Sequence, residues 1–138
     1  MGGWSKPLEL FADQVEDDLV EHQKQIVVDL VDEITSRAPI DSGQYMANNI
    51  VSIGSPDYSV KRDLDTLGTS TRGTAKAALS NLKPFSLVYI QNNVVYGEII
   101  EFGGYNGPTL KVNEAGYSRM APKGVYGLSF ISVTEALK

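Results

Sequence analysis

The chain of 138 residues contains no cysteine and a single histidine, His22. The first absence excludes disulfides, thiolate metal sites and cysteine nucleophiles, and it suits assembly in a reducing cytoplasm. The second leaves too few imidazoles for a histidine-built metal site, and any Ser-His-Asp site would have to use His22. No apolar run approaches the roughly 18 residues that a membrane span requires. The start, MGGWSKP, lacks the apolar core of a signal peptide, Lys6 breaks the myristoylation pattern, and there is no N-x-Ser/Thr acceptor. The phosphate-binding patterns G-x-x-x-x-G-K and G-x-G-x-x-G are missing, as is G-x-S-x-G. No cofactor, metal or membrane partner is expected.

Basic residues are scarce where acidic ones gather. Net charge is −5 overall, but Glu9, Asp13, Glu16, Asp17, Asp18, Glu21, Asp29, Asp32 and Glu33 face only Lys24 and Arg37, a net −7 in one element. The chain therefore lacks the clustered Lys and Arg that grip phosphate, and specific nucleic-acid binding is not expected. Hydrophobic content of 42% places it instead among globular proteins, and the length suits a single domain, 1–138.

The residues that are present predict an α+β fold. Ser5 can cap a helix with Pro7 in its first turn, and Leu8, Phe11, Val15, Leu19, Ile26, Leu30 and Ile34 then recur at mostly three- and four-residue steps. With Val27 and Val31 widening the stripe, this predicts a helix of about 45 Å, ended by Arg37 and Pro39. His22 lies on that stripe and reads as a packed or interfacial imidazole. Pro39 to Gly43 is a turn, Gln44 to Ile53 a strand carrying Tyr45, Ala47, Asn49, Val51 and Ile53 on one side, and residues 57–70 a mobile loop. Asp63, Asp65 and Gly68 imitate a calcium loop, but Leu67 takes a ligand position and Thr74 stands where the bidentate Glu belongs, so a solvated loop is expected. A helix capped by Ser70 or Thr71 runs to Leu82, with Ala75, Ala78, Leu79 and Leu82 inward. Phe85 to Gln91 is a strand, and Val94 to Glu101 makes helical turns burying Val95, Tyr96, Ile99 and Ile100. Turn signals at Asn106-Gly107-Pro108 and Glu114-Ala115-Gly116 predict an extended finger from Tyr105 to Tyr117. Tyr126, Phe130, Val133 and Leu137 predict a closing helix from about Pro122, a strand being the alternative. The expected architecture is a long N-terminal helix packed on a small antiparallel sheet, with short helices, a projecting hairpin loop and a C-terminal helix.

Chemistry is thin. Glu98 and Glu101 lie one helical turn apart, so a carboxylate pair for acid–base work is geometrically possible, though a solvated or interfacial face is the simpler reading. Exposed aromatics at Tyr105 and Tyr117 suit protein contacts, and Lys111 and Arg119 are too few to make them a nucleic-acid platform.

Three stretches in order carry a resemblance: APIDSGQYMANNIVSIGSP (residues 38–56), YIQNNVVYGEIIEFGG (89–104) and SRMAPKGV (118–125). Together with the acidic helix ahead of them, they resemble the siphophage-type neck and tail-completion proteins of long-tailed bacteriophages, over nearly the whole chain. Asn49 stands where that family often has Trp, Val95 where it has Pro and Val125 where it has Met. The resemblance implies a non-enzymatic virion protein, assembled in the host cytoplasm and placed in the neck. There it would form a homo-oligomeric ring, six-fold or else twelve-fold, around the channel that DNA passes without specific binding. Its implied neighbours are other neck, head-closure and tail-terminator proteins. Tail termination or head closure at an adjacent level is the alternative, with a small monomeric binding module or a carboxylate enzyme behind it. Ring closure needs contact patches. Tyr96, Glu101, Phe102, Tyr105, Thr109, Lys111 and Tyr117 are the candidates for them, and Asp13, Glu16, Asp17 and Glu21 are candidates to line the channel or to face outward.

Overall fold

Periodicity of three and four carries the first helix, α1, from Gly2 to Arg37, 36 residues or about 54 Å. The computed structural model describes residues 2–107 and 109–137, without the side chains of residues 2–8. The helix already runs from Gly2, so Ser5 and Pro7 lie within it and do not open it as expected, while the side chain of the stripe position Leu8 and the turn position Pro108 lie outside the described residues. Arg37 ends the helix paired with Glu33, one turn back, where a cation also suits the helix dipole.

The single stripe expected along α1 is in fact two faces. At about 3.6 residues per turn, Phe11, Val15, Leu19, His22 and Ile26 share one face, and Val20, Val27, Val31 and Ile34 share another, about a third of a turn away. Only the second is buried, from Val27 onward. On that same face the N-terminal half carries Glu9, Asp13 and Glu16 instead of apolar residues, so it has nothing to bury against the body, and residues 9–19 are exposed.

After α1 come α2 (Gln44–Ala47), β1 (Ile50–Ile53), α3 (Thr69–Ala78), β2 (Val88–Gln91), α4 (Gly97–Phe102) and α5 (Tyr126–Ala136). The strands pair antiparallel with Val51 opposite Ile90 and Ile53 opposite Val88. These four side chains share one face, as period two requires, and pack on the core formed by Val27, Val31, Ala75, Leu79 and Leu82. A second core joins Ile34, Ala38, Tyr45, Met46, Val94, Ile100, Ala121 and Val125, with Ile90 packed against both. The α+β architecture, with α1 and α3 on one face of a small antiparallel sheet and α5 closing against α1, is as expected.

Several boundaries differ from expectation. Gln44–Ala47 is helical instead of extended, because Asn48 and Asn49 turn their amides back onto the carbonyls of Gln44, Tyr45 and Met46 and end a short helical turn. Gly68, not Ser70 or Thr71, precedes α3, which stops at Ala78 before a turn to Leu82. Strand β2 starts three residues late because Phe85 has φ of 62°, a turn conformation that follows Pro84 and leaves Phe85 and Leu87 exposed. Of the four residues expected inside at 94–101, only Ile100 is buried, whereas Val95, Tyr96 and Ile99 are exposed, and Val94, not expected there, is buried. Helix α5 begins at Tyr126 and buries Ser129 and Val133, leaving Phe130 and Leu137 exposed. The inward position belongs to Ser129 because its hydroxyl is satisfied by the Val125 carbonyl at 2.7 Å.

Residues 57–68 form an irregular loop, but it is pinned. Asn48 accepts the Lys61 amide at 2.6 Å and donates to its carbonyl, and Asn93 donates to the carbonyls of Asp57 and Ser59. Asp65, expected in a solvated loop, is buried and caps α3. Its carboxylate accepts from Gly68 N, Thr71 N and the Thr71 hydroxyl, at 2.9, 2.8 and 2.7 Å. Burial works to raise the Asp65 pKa, but these hydrogen bonds outweigh it and hold the carboxyl below its ordinary value. A depressed folded-state pKa stabilises the fold fully above the unfolded value of about 3.9, and that stability is lost as pH falls through the lower, folded value. Urea midpoints measured from about pH 6 down to about pH 2.5 are expected to fall at the acid end, and Asp65→Asn is expected to flatten part of that fall while lowering the plateau.

Candidate functional site

The three stretches that carry the resemblance are knit to one another by polar side chains. Asn49 is 5% exposed, and its carbonyl oxygen accepts from the Tyr126 hydroxyl at 2.7 Å and from the Asn92 amide at 3.2 Å. Asn92 also donates to the Tyr45 carbonyl at 2.8 Å and takes the Val94 N–H, fixing the corner between β2 and α4. Burial first, with the Glu101 charge adding, pushes the Tyr45 and Tyr126 phenols far above their ordinary pKa, so Tyr126 stays a donor.

Glu101 ends this chain of contacts. Its carboxylate accepts from Tyr126 N at 2.6 Å and Val125 N at 3.2 Å, and so caps α5, where the helix dipole also favours an anion. With Glu98, Tyr45, Asn92, Phe102 and Tyr126 it lines an open cleft of about 350 Å³. The pair Glu98 and Glu101 is therefore close to a cleft, but Glu101 already serves the backbone. Glu101→Ala is expected to lower stability by about 2 kcal/mol, and Glu101→Gln by about half as much, because an amide oxygen can still accept; thermal melts of the two variants check the order.

The remaining contact candidates fall on one continuous surface. Phe102 is 74% exposed and Val95 98%. Beyond α4, Gly104 N and Tyr105 N donate to the carbonyls of Ala115 and Gly116, so the finger folds back directly beside α4. Instead of a long ladder, the finger has one antiparallel bridge, Val112 to Ser118, closed by Asn113 accepting from Ala115 N and Tyr117 N. Tyr117 is half-buried with its ring against Gly103, while Tyr105 is half-exposed. Thr109 turns its hydroxyl to Lys111 N, and the Lys111 ammonium meets Asp41 at 3.3 Å. Tyr96 donates to Gln44 at 3.2 Å and remains partly exposed. The finger and the Tyr96–Phe102 turn thus lie side by side near the C-terminal end of α1.

Asp13, Glu16, Asp17 and Glu21 are exposed on the projecting half of α1, with Glu21 3.7 Å from Lys24. Beside them Phe11, 68% exposed, leads an apolar face, and Val15, Asp18, Leu19 and His22 form a shallow groove. His22 is exposed, which accords with an interfacial imidazole and not with a packed one. Sequence reasoning missed a third exposed apolar set, Tyr58, Val60, Leu64 and Leu67 on the pinned loop. Their signal was visible as apolar residues without a period in a polar stretch.

Among the described residues, no group of three or more His, Asp or Glu side chains is placed to hold a metal ion. No helix among them is long and apolar enough to cross a membrane. Comparison with protein-family models, curated proteins and solved structures finds no match to this chain.

Proposed function

We propose that this chain is a structural protein of a bacteriophage neck, forming a ring around the DNA channel that joins the filled head to the tail. The observation that carries the reading is that two of the three exposed apolar patches lie far apart on the chain. One is the α4–finger surface, tied to the C-terminal end of α1 through Asp41 and through Met120, whose sulfur accepts the Ile40 N–H. The other is the Phe11, Val15 and Leu19 face, about 40 Å away along the helix from Phe11 to Arg37. A closed ring of identical copies needs two different patches on each copy, and a monomeric domain has no use for them. Residues 38–56 and 89–104 meet through Asn49 and Asn92, and 118–125 reaches Glu101 through the Val125 N–H, which is consistent with the three stretches forming one unit. The Glu101 cap weakens the carboxylate-enzyme alternative by giving that side chain a structural task.

Protein composition of purified virions tests the reading. Several copies per particle are expected; absence from the particle would end it. In particles lacking the chain, heads that leak DNA would shift the assignment to head closure, and overlong tails to termination.

A further inference from the structure

Residues 9–19 of α1 are exposed, and the helix meets the body only from Val20 and from Gln23, which donates to the Ser86 carbonyl. From Glu9 to Gln23 it has six acidic side chains and no basic one, and its apolar face, Phe11, Val15 and Leu19, meets only solvent. Two such faces could in principle pack on each other between copies. That arrangement would bring six carboxylates against six more in a low-dielectric contact, and like charges oppose it. The surface that complements the arm lies on the same chain. The finger, residues 102–124, carries Lys111, Arg119 and Lys123 against Glu114, a net +2, while the adjoining α4 adds Glu98 and Glu101 and Lys111 pairs with Asp41; the finger exposes Phe102, Leu110 (89% exposed) and Met120. Arg119 is held in place there, its Nε donating to the Leu110 carbonyl at 2.8 Å and its N–H to the Lys111 carbonyl at 2.9 Å.

We infer that the N-terminal half of α1 is a docking arm, whose Phe11–Val15–Leu19 face lies on the α4–finger patch of the next copy, head to tail. The inference deepens the ring reading and rests on it. Asp18 and Glu21 flank the apolar face and meet Lys111 and Arg119 at the rim. Asp13 and Asp17, on the opposite arc of the helix, stay turned away from the contact, where they can face the channel and repel phosphate. Opposite charges on the arm and the finger favour contact between these unlike surfaces over contact of arm with arm, and such contacts repeated head to tail can close into a ring.

The absence of native cysteine makes the test clean. Full-length Val15→Cys and Leu110→Cys chains are oxidised separately and as a mixture at high concentration. A covalent dimer in the mixture, and in neither variant alone, is expected. A dimer of Val15→Cys alone would overturn the inference in favour of two-fold packing of the arms. A second test reverses rim charges, with thermal melts of each variant checking the fold, since Lys111 pairs with Asp41 and Arg119 bonds the Leu110 carbonyl. Lys111→Glu with Arg119→Glu is expected to weaken self-association about tenfold, and Asp18→Lys with Glu21→Lys on the partner copy to restore it. Rings that form without cross-linking and without charge rescue would overturn the arm while leaving the ring reading standing. A chain that stays monomeric at every concentration and is absent from virions would overturn both.

Discussion

Asn49→Ala is expected to cost about 3 kcal/mol of folding stability, the largest loss from any single polar side chain in the molecule. Asn49 is buried, and both ends of its amide are used. It accepts from Tyr126 and Asn92 and donates to the carbonyls of Tyr45 and Met46. Alanine removes the acceptor and leaves the half-buried Tyr126 hydroxyl and one Asn92 N–H without their protein partner beside the cleft that both residues line. Unsatisfied buried donors cost more than the net worth of the bonds they made, about 1–3 kcal/mol each. Tyr126→Phe removes one of those donors, so it should cost only about 1 kcal/mol by itself. The double variant should then lose less than the sum of the two, since alanine no longer strands the hydroxyl. Urea unfolding of the four proteins in the cycle measures this coupling. Additive losses would show that Tyr126 and Asn49 do not act through one another.

Gly43→Ala is expected to cost about 3 kcal/mol by a different route. Gly43 has φ of +91° and opens α2, and its carbonyl accepts from both Ala47 N and Asp65 N at 3.0 Å. A Cβ built there lies 2.8 Å from backbone atoms of Asp65. Backbone cannot swing aside as a flexible side chain can, so Asp65 must retreat and α3 loses part of its cap. Gly54 supplies the control. Its φ is +84° but nothing lies within 4 Å of the added carbon, so Gly54→Ala should show the conformational cost alone, about 1–2 kcal/mol. Equal losses at the two positions would mean that the Asp65 contact carries no weight.

The same two residues mark how far the sequence could be read. Helix α1 and the inward face of α3 were legible because three-four spacing is local, and Gly43 was legible as a turn because glycine beside proline and aspartate has few other uses. The helical turn at 44–47 was not. Tyr45 and Ala47 alternate as a strand would, and only the long-range demand on Asn49, whose partners lie 43 and 77 residues away, explains why the chain curls before β1 begins. The two faces of α1 were merged for a related reason. Periodicity reports that apolar residues recur, but a rotation of a third of a turn between halves shows only when the body buries one face and leaves the other. Among the contact candidates, Phe102, Tyr105, Thr109 and Lys111 lie on the surface, whereas Tyr117, expected exposed, is half-buried. Glu101 looked identical to them in sequence, and only the position of α5 gives its carboxylate an internal partner.

Joining head to tail is the central claim, and electron microscopy of a lysate from the phage lacking this gene tests it most directly. DNA-filled heads and finished tails lying separate in the same field are the expected result. Normal, infectious, tailed particles would contradict it.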